Sequence, residues 1–68
     1  MEQLTKKQFE LFHFILKYMS ENEARFPSHL EIAENLEISV GGPTAHLLSQ
    51  LVEKGYIEKV GDSYKLTQ

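Results

Sequence analysis

The stretch from Ser28 to Gly55, SHLEIAENLEISVGGPTAHLLSQLVEKG, constrains the fold more than any other part of the chain. Leu30, Ala33 and Leu36 recur at helical spacing, EISVGG interrupts the pattern, and Thr44, Leu47, Leu48 and Leu51 resume it. Two short helices around a tight connection are the signature of a helix-turn-helix. Ser28 and Glu31 have the S-x-x-E spacing of a capping box, so the first helix of the pair is expected to begin just after Ser28. Pro43, with its fixed φ and missing donor, suits the first position of the second helix. Gly55 suits the left-handed residue just past that helix's end.

A chain of 68 residues is expected to form a single domain over residues 1–68. A domain this small buries only about 60% of the surface its unfolded form exposes, so few apolar residues are spare. Hydrophobic residues make up 41% and charged residues 25%, which suits a globular chain rather than a disordered one. Cysteine is absent, which removes disulfides, thiolate nucleophiles and cysteine metal sites together. No signal peptide is visible. The longest apolar-rich run, Phe9 to Met19, is interrupted by Glu10, His13 and Lys17 and is too short to span a bilayer. A soluble, cytoplasmic protein with no membrane partner is expected.

From the start of the chain, Thr5 and Gln8 have capping-box spacing, and Leu4 with Phe9 is placed to form a hydrophobic staple. A helix is expected from about Lys6 to about Asn22, its polar residues Lys6, Glu10, His13, Lys17, Ser20 and Glu21 gathered in one arc and its apolar face unusually wide. Pro27 disfavours the helical conformation at Phe26, so the segment from Glu23 to Pro27 is a connector, from which Phe26 is expected to plug the core. After Gly55 the pattern changes. Tyr56 to Val60 and Ser63 to Thr67 are rich in β-branched and aromatic residues, and Gly61-Asp62 between them is a hairpin-closing pair. The expected fold is mainly α with a small β-hairpin, a winged helix-turn-helix of three helices plus a wing.

Three segments stand out together: LTKKQFELFHFI at the start, EIAENL in the first helix of the motif and LVEKGYIEKV from the second helix into the wing. Through them the chain resembles the N-terminal DNA-binding domain of the LexA repressor family. The most specific residues of the resemblance are Leu4, Thr5, Gln8 and Phe12, then Glu31, Ile32 and Ala33, then Lys54, Gly55, Ile57 and Glu58. The resemblance implies a winged-helix DNA reader. Members of the family carry a Ser-Pro-Asn opening and a pair of glutamates on the recognition helix, whereas the same stretch here runs Ser39-Val40-Gly41-Gly42-Pro43-Thr44-Ala45-His46. No base-reading role carries over from the family residue by residue. The wing is also shorter than the family's, and the second domain with its Ser-Lys self-cleavage chemistry is not contained in these residues, so regulated autoproteolysis is not implied.

Burying Thr44, Leu47, Leu48 and Leu51 leaves Ala45, His46, Ser49, Gln50 and Glu53 facing outward. His46, Ser49 and Gln50 are short or flexible hydrogen-bonding groups able to reach base edges, and Ala45 suits a thymine methyl. The same residues also describe an ordinary solvated helix face. Ser28, Ser39 and Thr44 are candidate phosphate donors as well as candidate caps, and Gly42 either exposes its amide to a phosphate or only forms the turn. Arg25 on one flank and Lys54, Lys59 and Lys65 on the other are candidate backbone contacts, or simply solvated cations. A net charge of −3 is unfavourable for phosphate binding, with Glu31, Glu34 and Glu37 on or just after the first helix of the motif.

Catalytic constellations are missing. His13, His29 and His46 have no H-E-x-x-H or H-x₃₋₅-H partner, and Gly41-Gly42 lacks the Lys and Ser/Thr of a phosphate loop. No cofactor, metal or small-molecule ligand is inferred. The sequence therefore predicts a small prokaryotic or phage transcriptional regulator, repressor-like, that places residues 43–54 in the major groove of double-stranded DNA and residues 56–67 near the backbone. The alternative is a winged-helix protein-interaction module that has lost DNA binding and acts through the apolar first helix. On that helix Phe9 and Leu16 lie about 20° apart, away from the centre of the packed face. They form either an association surface, for a homodimer or a larger repressor partner, or a staple and a singly exposed leucine.

Overall fold

The computed structural model describes residues 3–67; Met1, Glu2 and Gln68, included in the expected domain, lie outside the described residues. Helix α1 spans Lys6–Glu21, α2 His29–Leu36 and α3 Gly42–Glu53, followed by strands β1 Ile57–Val60 and β2 Ser63–Leu66. The winged helix-turn-helix order is therefore realised, mainly helical with one antiparallel hairpin.

Each helix starts where its local chemistry dictates. Thr5 caps α1 in a complete box: its N–H donates to Gln8 Oε1 at 3.0 Å, and the Gln8 N–H donates to Thr5 Oγ1 at 3.3 Å. Ser28 does the same for α2, with the Ser28 N–H on Glu31 Oε1 at 2.9 Å and the Glu31 N–H on Ser28 Oγ at 3.2 Å. Such boxes satisfy amides that helix ends otherwise leave without partners. The start of α3 differs from the sequence expectation by one residue. Gly42 occupies the first helical position and Pro43 the second, with Gly41 as a cap that offers no side chain.

One core joins all the elements. Leu11 and Ile15 from α1, Ile32 and Leu36 from α2, Leu48 and Leu51 from α3, and Ile57 from β1 are buried together. Phe12, Phe14, Met19, Phe26, Leu47 and Tyr64 pack against this cluster from its margin. Phe26 enters from the connector as expected and stacks on Tyr64 of β2, ring centroids 5.5 Å apart, so the connector is tied to the wing. Phe12 meets Tyr56 edge to face at 5.1 Å. In α2 the buried face corrects the sequence reading. Ile32, Ala33 and Leu36 point inward, while Leu30 lies on the far side and is 55% exposed. The i, i+3, i+6 recurrence drifts around a helix of 3.6 residues per turn, and the bulkier Ile32 and Leu36, one turn apart, define the inward direction.

The hairpin pairs Ile57 with Leu66, Glu58 with Lys65, Lys59 with Tyr64 and Val60 with Ser63. That register leaves Gly61 and Asp62 as the two-residue loop. Gly61 has φ +61° and Asp62 no positive φ, the pattern of a type II′ turn. Ile57 is the buried residue of β1, and Tyr64 and Leu66 of β2 pack against the core beside it, so the wing is seated through both strands.

The cap of α2 also reaches back to α1, through the Tyr18 hydroxyl, which donates to Glu31 Oε2 at 2.7 Å. Glu31 is held below the ordinary glutamate range, first by the Ser28 backbone N–H and then by this hydroxyl. Tyr18 is raised, chiefly by the same hydrogen bond. A depressed carboxyl contributes stability that is present above its unfolded pKa and lost as pH falls through the folded value. A raised phenol contributes stability that is present below its unfolded pKa and lost as pH rises through the folded one. Tyr18→Phe is thus expected to melt slightly below wild type at neutral pH, with the gap narrowing as the pH drops below the glutamate range. Thermal melts across the acid range check this, and a gap that stays constant overturns it.

Candidate nucleic-acid interface

The outer face of α3 carries Ala45, His46, Ser49 and Glu53, all exposed, while Thr44, Leu48 and Leu51 anchor the opposite face with no accessible surface. Short polar groups therefore project from a helix whose position is set by the core. Thr44 does not belong to the backbone-contacting rim. It is fully buried, and its hydroxyl donates to the Ser39 carbonyl at 3.0 Å, which closes the turn into α3. Ser39 and Gly42 themselves are exposed at this corner.

Gln50 departs from the outward set. It is half-buried, its Oε1 accepts from Gln8 Nε2 at 2.9 Å, and its Nε2 lies 3.1 Å from His46 Nε2. Lys54 likewise turns inward, its Nζ donating to Gln8 Oε1 at 2.6 Å and to the Gln3 carbonyl at 3.0 Å. This ammonium ties the end of α3 to the beginning of the chain. Gln8, 3% exposed, is the hub of both contacts. The sequence reading assigned it only to a cap. Its signal was its phase with Leu11 and Ile15 on the apolar face, where a carboxamide has to find partners.

On the wing, Lys65 faces Glu58 across the strands at 3.1 Å, with both side chains more than half exposed. An exposed pair of this kind is worth about 0–1 kcal/mol, so it offsets the lysine's charge without fixing its place. Lys59 is exposed on β1 and is the wing cation with no ion pair among the described residues. Ser28 Oγ accepts the Glu31 N–H in its capping box, and the residue is exposed. Arg25, exposed in the connector, lies close enough that its charge adds to the lowering of Glu31 and opposes the rise of Tyr18. Its charge therefore sits beside the start of α2.

The corner before α3 admits a direct test. Gly41 has φ +102°, a region L side chains rarely adopt, whereas Gly42 is helical and a Cβ there meets open space. Gly41→Ala is expected to cost about 1–3 kcal/mol in strain, and Gly42→Ala to stabilise by about 0.4–1 kcal/mol, both read from denaturant midpoints. Equal effects at the two positions would show that the turn does not depend on the Gly41 backbone.

A family model described as the LexA DNA binding domain matches residues 1–63. The chain belongs to this family. No curated protein matches it. The match reaches from α1 to the first residue of β2, so the helix-turn-helix and the first strand of the wing are all LexA-like. A LexA DNA binding domain is a non-catalytic unit that binds double-stranded DNA in transcription regulation. Among the described residues, no helix is long and apolar enough to cross a membrane.

Proposed function

We propose that this LexA-type domain binds duplex DNA sequence-specifically as a small, repressor-like regulator, with α3 in the major groove and the hairpin beside the backbone. The observation that carries the reading is the face of α3. Ala45, His46 and Ser49 are exposed together on a helix whose other side is locked into the core. Groove entry requires such a row of short groups on a rigid support. Ser49 and His46 supply donors and acceptors for base edges, and Ala45 an apolar contact. Backbone contacts fall to Lys59 and Lys65 on the wing, Arg25 and Ser28 at the connector, and Ser39 with the Gly42 amide at the corner before α3. Gln50 and Lys54 serve α3 from behind.

Few of these groups are cationic, and the net charge is −3. Affinity for mixed-sequence duplex is therefore expected to be weak at physiological salt, and with roughly three to five phosphates neutralised the slope of log K against log salt is about −0.9 per contact. Lys59→Ala is expected to flatten the slope by about one contact. Lys65→Ala is expected to flatten it less, because Glu58 already shares that charge. Fluorescence anisotropy titrations over a salt series read both. An absence of duplex binding even at low salt would refute the proposal. It would favour an interaction module acting through α1, where Phe9 and Leu16 are 59% and 42% exposed. A homodimer or a larger repressor as partner belongs to the same question, which sedimentation of wild type against a Phe9→Lys, Leu16→Glu double variant decides.

A further inference from the structure

We propose that buried Gln8 sets the tautomer of His46 through Gln50, and so makes His46 a hydrogen-bond donor on the outer face of α3. The inference rests on α3 being the helix that enters the groove. Its physical basis is a chain of hydrogen bonds whose direction is forced from one end.

The Lys54 ammonium and the Thr5 backbone N–H can only donate, and both point at the same carboxamide atom of Gln8, at 2.6 and 3.0 Å. That atom must be the oxygen. The Gln8 nitrogen therefore faces Gln50 and donates to its oxygen at 2.9 Å. This turns the Gln50 nitrogen toward His46 Nε2, 3.1 Å away. An amide nitrogen has no acceptor capacity, so Nε2 of the neutral imidazole must accept and the ring proton must sit on Nδ1. Free histidine favours the opposite tautomer. Among the described residues His46 has no other hydrogen bond, so its Nδ1–H is left for an outside acceptor.

A donor at this place matches N7 or O6 of guanine, N7 of adenine or O4 of thymine, and offers nothing to the amino group of cytosine. Gln8 is thus a specificity-positioning residue that never touches DNA. Its effect reverses with one atom. In Gln8→Glu both side-chain ends accept: one keeps Lys54 and the Thr5 N–H, and the capping box survives. The other draws the Gln50 nitrogen toward it. Gln50 then presents its oxygen to His46, and Nε2 must carry the proton. Gln50→Glu reaches the same inversion while one carboxylate oxygen still accepts from the Gln8 amide.

The test combines two readouts on the 68-residue chain. Long-range nitrogen–proton NMR at a pH of about 8.5, where an unperturbed imidazole is neutral, gives the tautomer, with His46→Asn identifying the signal. Selection from a random duplex pool gives the base preference. Wild type is expected to show the Nδ1–H form, and both variants the Nε2–H form. Gln8→Glu is also expected to shift base preference on the order of tenfold at one position of the site. An Nε2–H wild type, or one tautomer throughout, overturns the inference whatever DNA does. Inverted tautomers with identical base preferences overturn His46 as a reader while duplex binding stands. A wild type that selects no duplex refutes the groove reading and the base preference with it, and the spectra still decide the relay.

Discussion

Leu48→Ala is expected to lower the unfolding free energy by about 2–5 kcal/mol, measured by urea denaturation. Leu48 is fully buried among seven core residues contributed by all three helices and β1. A domain under about 70–80 residues rarely has more than about 3–5 kcal/mol from one core, so the loss is comparable with the whole stability. Truncation also leaves a void between α1, α2 and α3 that so small a structure closes only by moving helices. Binding to every duplex is expected to fall together, because α3 loses its seat. A variant with an unchanged midpoint would show that Leu48 is not the anchor its burial indicates.

The opposite pattern is expected on the outer face. His46→Ala or Ser49→Ala is expected to cost about 1–3 kcal/mol on the preferred duplex and little on unrelated sequence, because neither side chain supports the core. Competition binding with preferred and scrambled duplexes separates the two. Equal losses on both would remove these residues from base reading. Gln50→Ala stands between the two classes. It deprives the nearly buried Gln8 amide of an acceptor and so is expected to lower stability as well as preference.

The contrast between these variants follows from what is legible in a single sequence. Thr5 with Gln8 and Ser28 with Glu31 were readable as caps because the bonds they form span three residues. The Gly61-Asp62 turn was readable because its geometry is decided by the two residues in it. Thr44, Leu48 and Leu51 were readable as core from helical phase. Leu30 was not readable as exposed, because its phase with Ala33 and Leu36 is helical whichever side of α2 meets the core.

By itself, then, the sequence determined the number and order of elements, the caps that open α1 and α2 and the hairpin turn, since these rest on backbone preferences and bonds reaching only a few residues. It also determined the family. Only the tertiary structure decided which polar groups of α3 face outward. Gln8 meets Gln50 across 42 residues and Lys54 across 46. No spacing rule connects positions so far apart. Their partnership arises when α1 and α3 close on shared apolar side chains and leave a buried carboxamide that must be satisfied by whichever polar groups that packing brings to it.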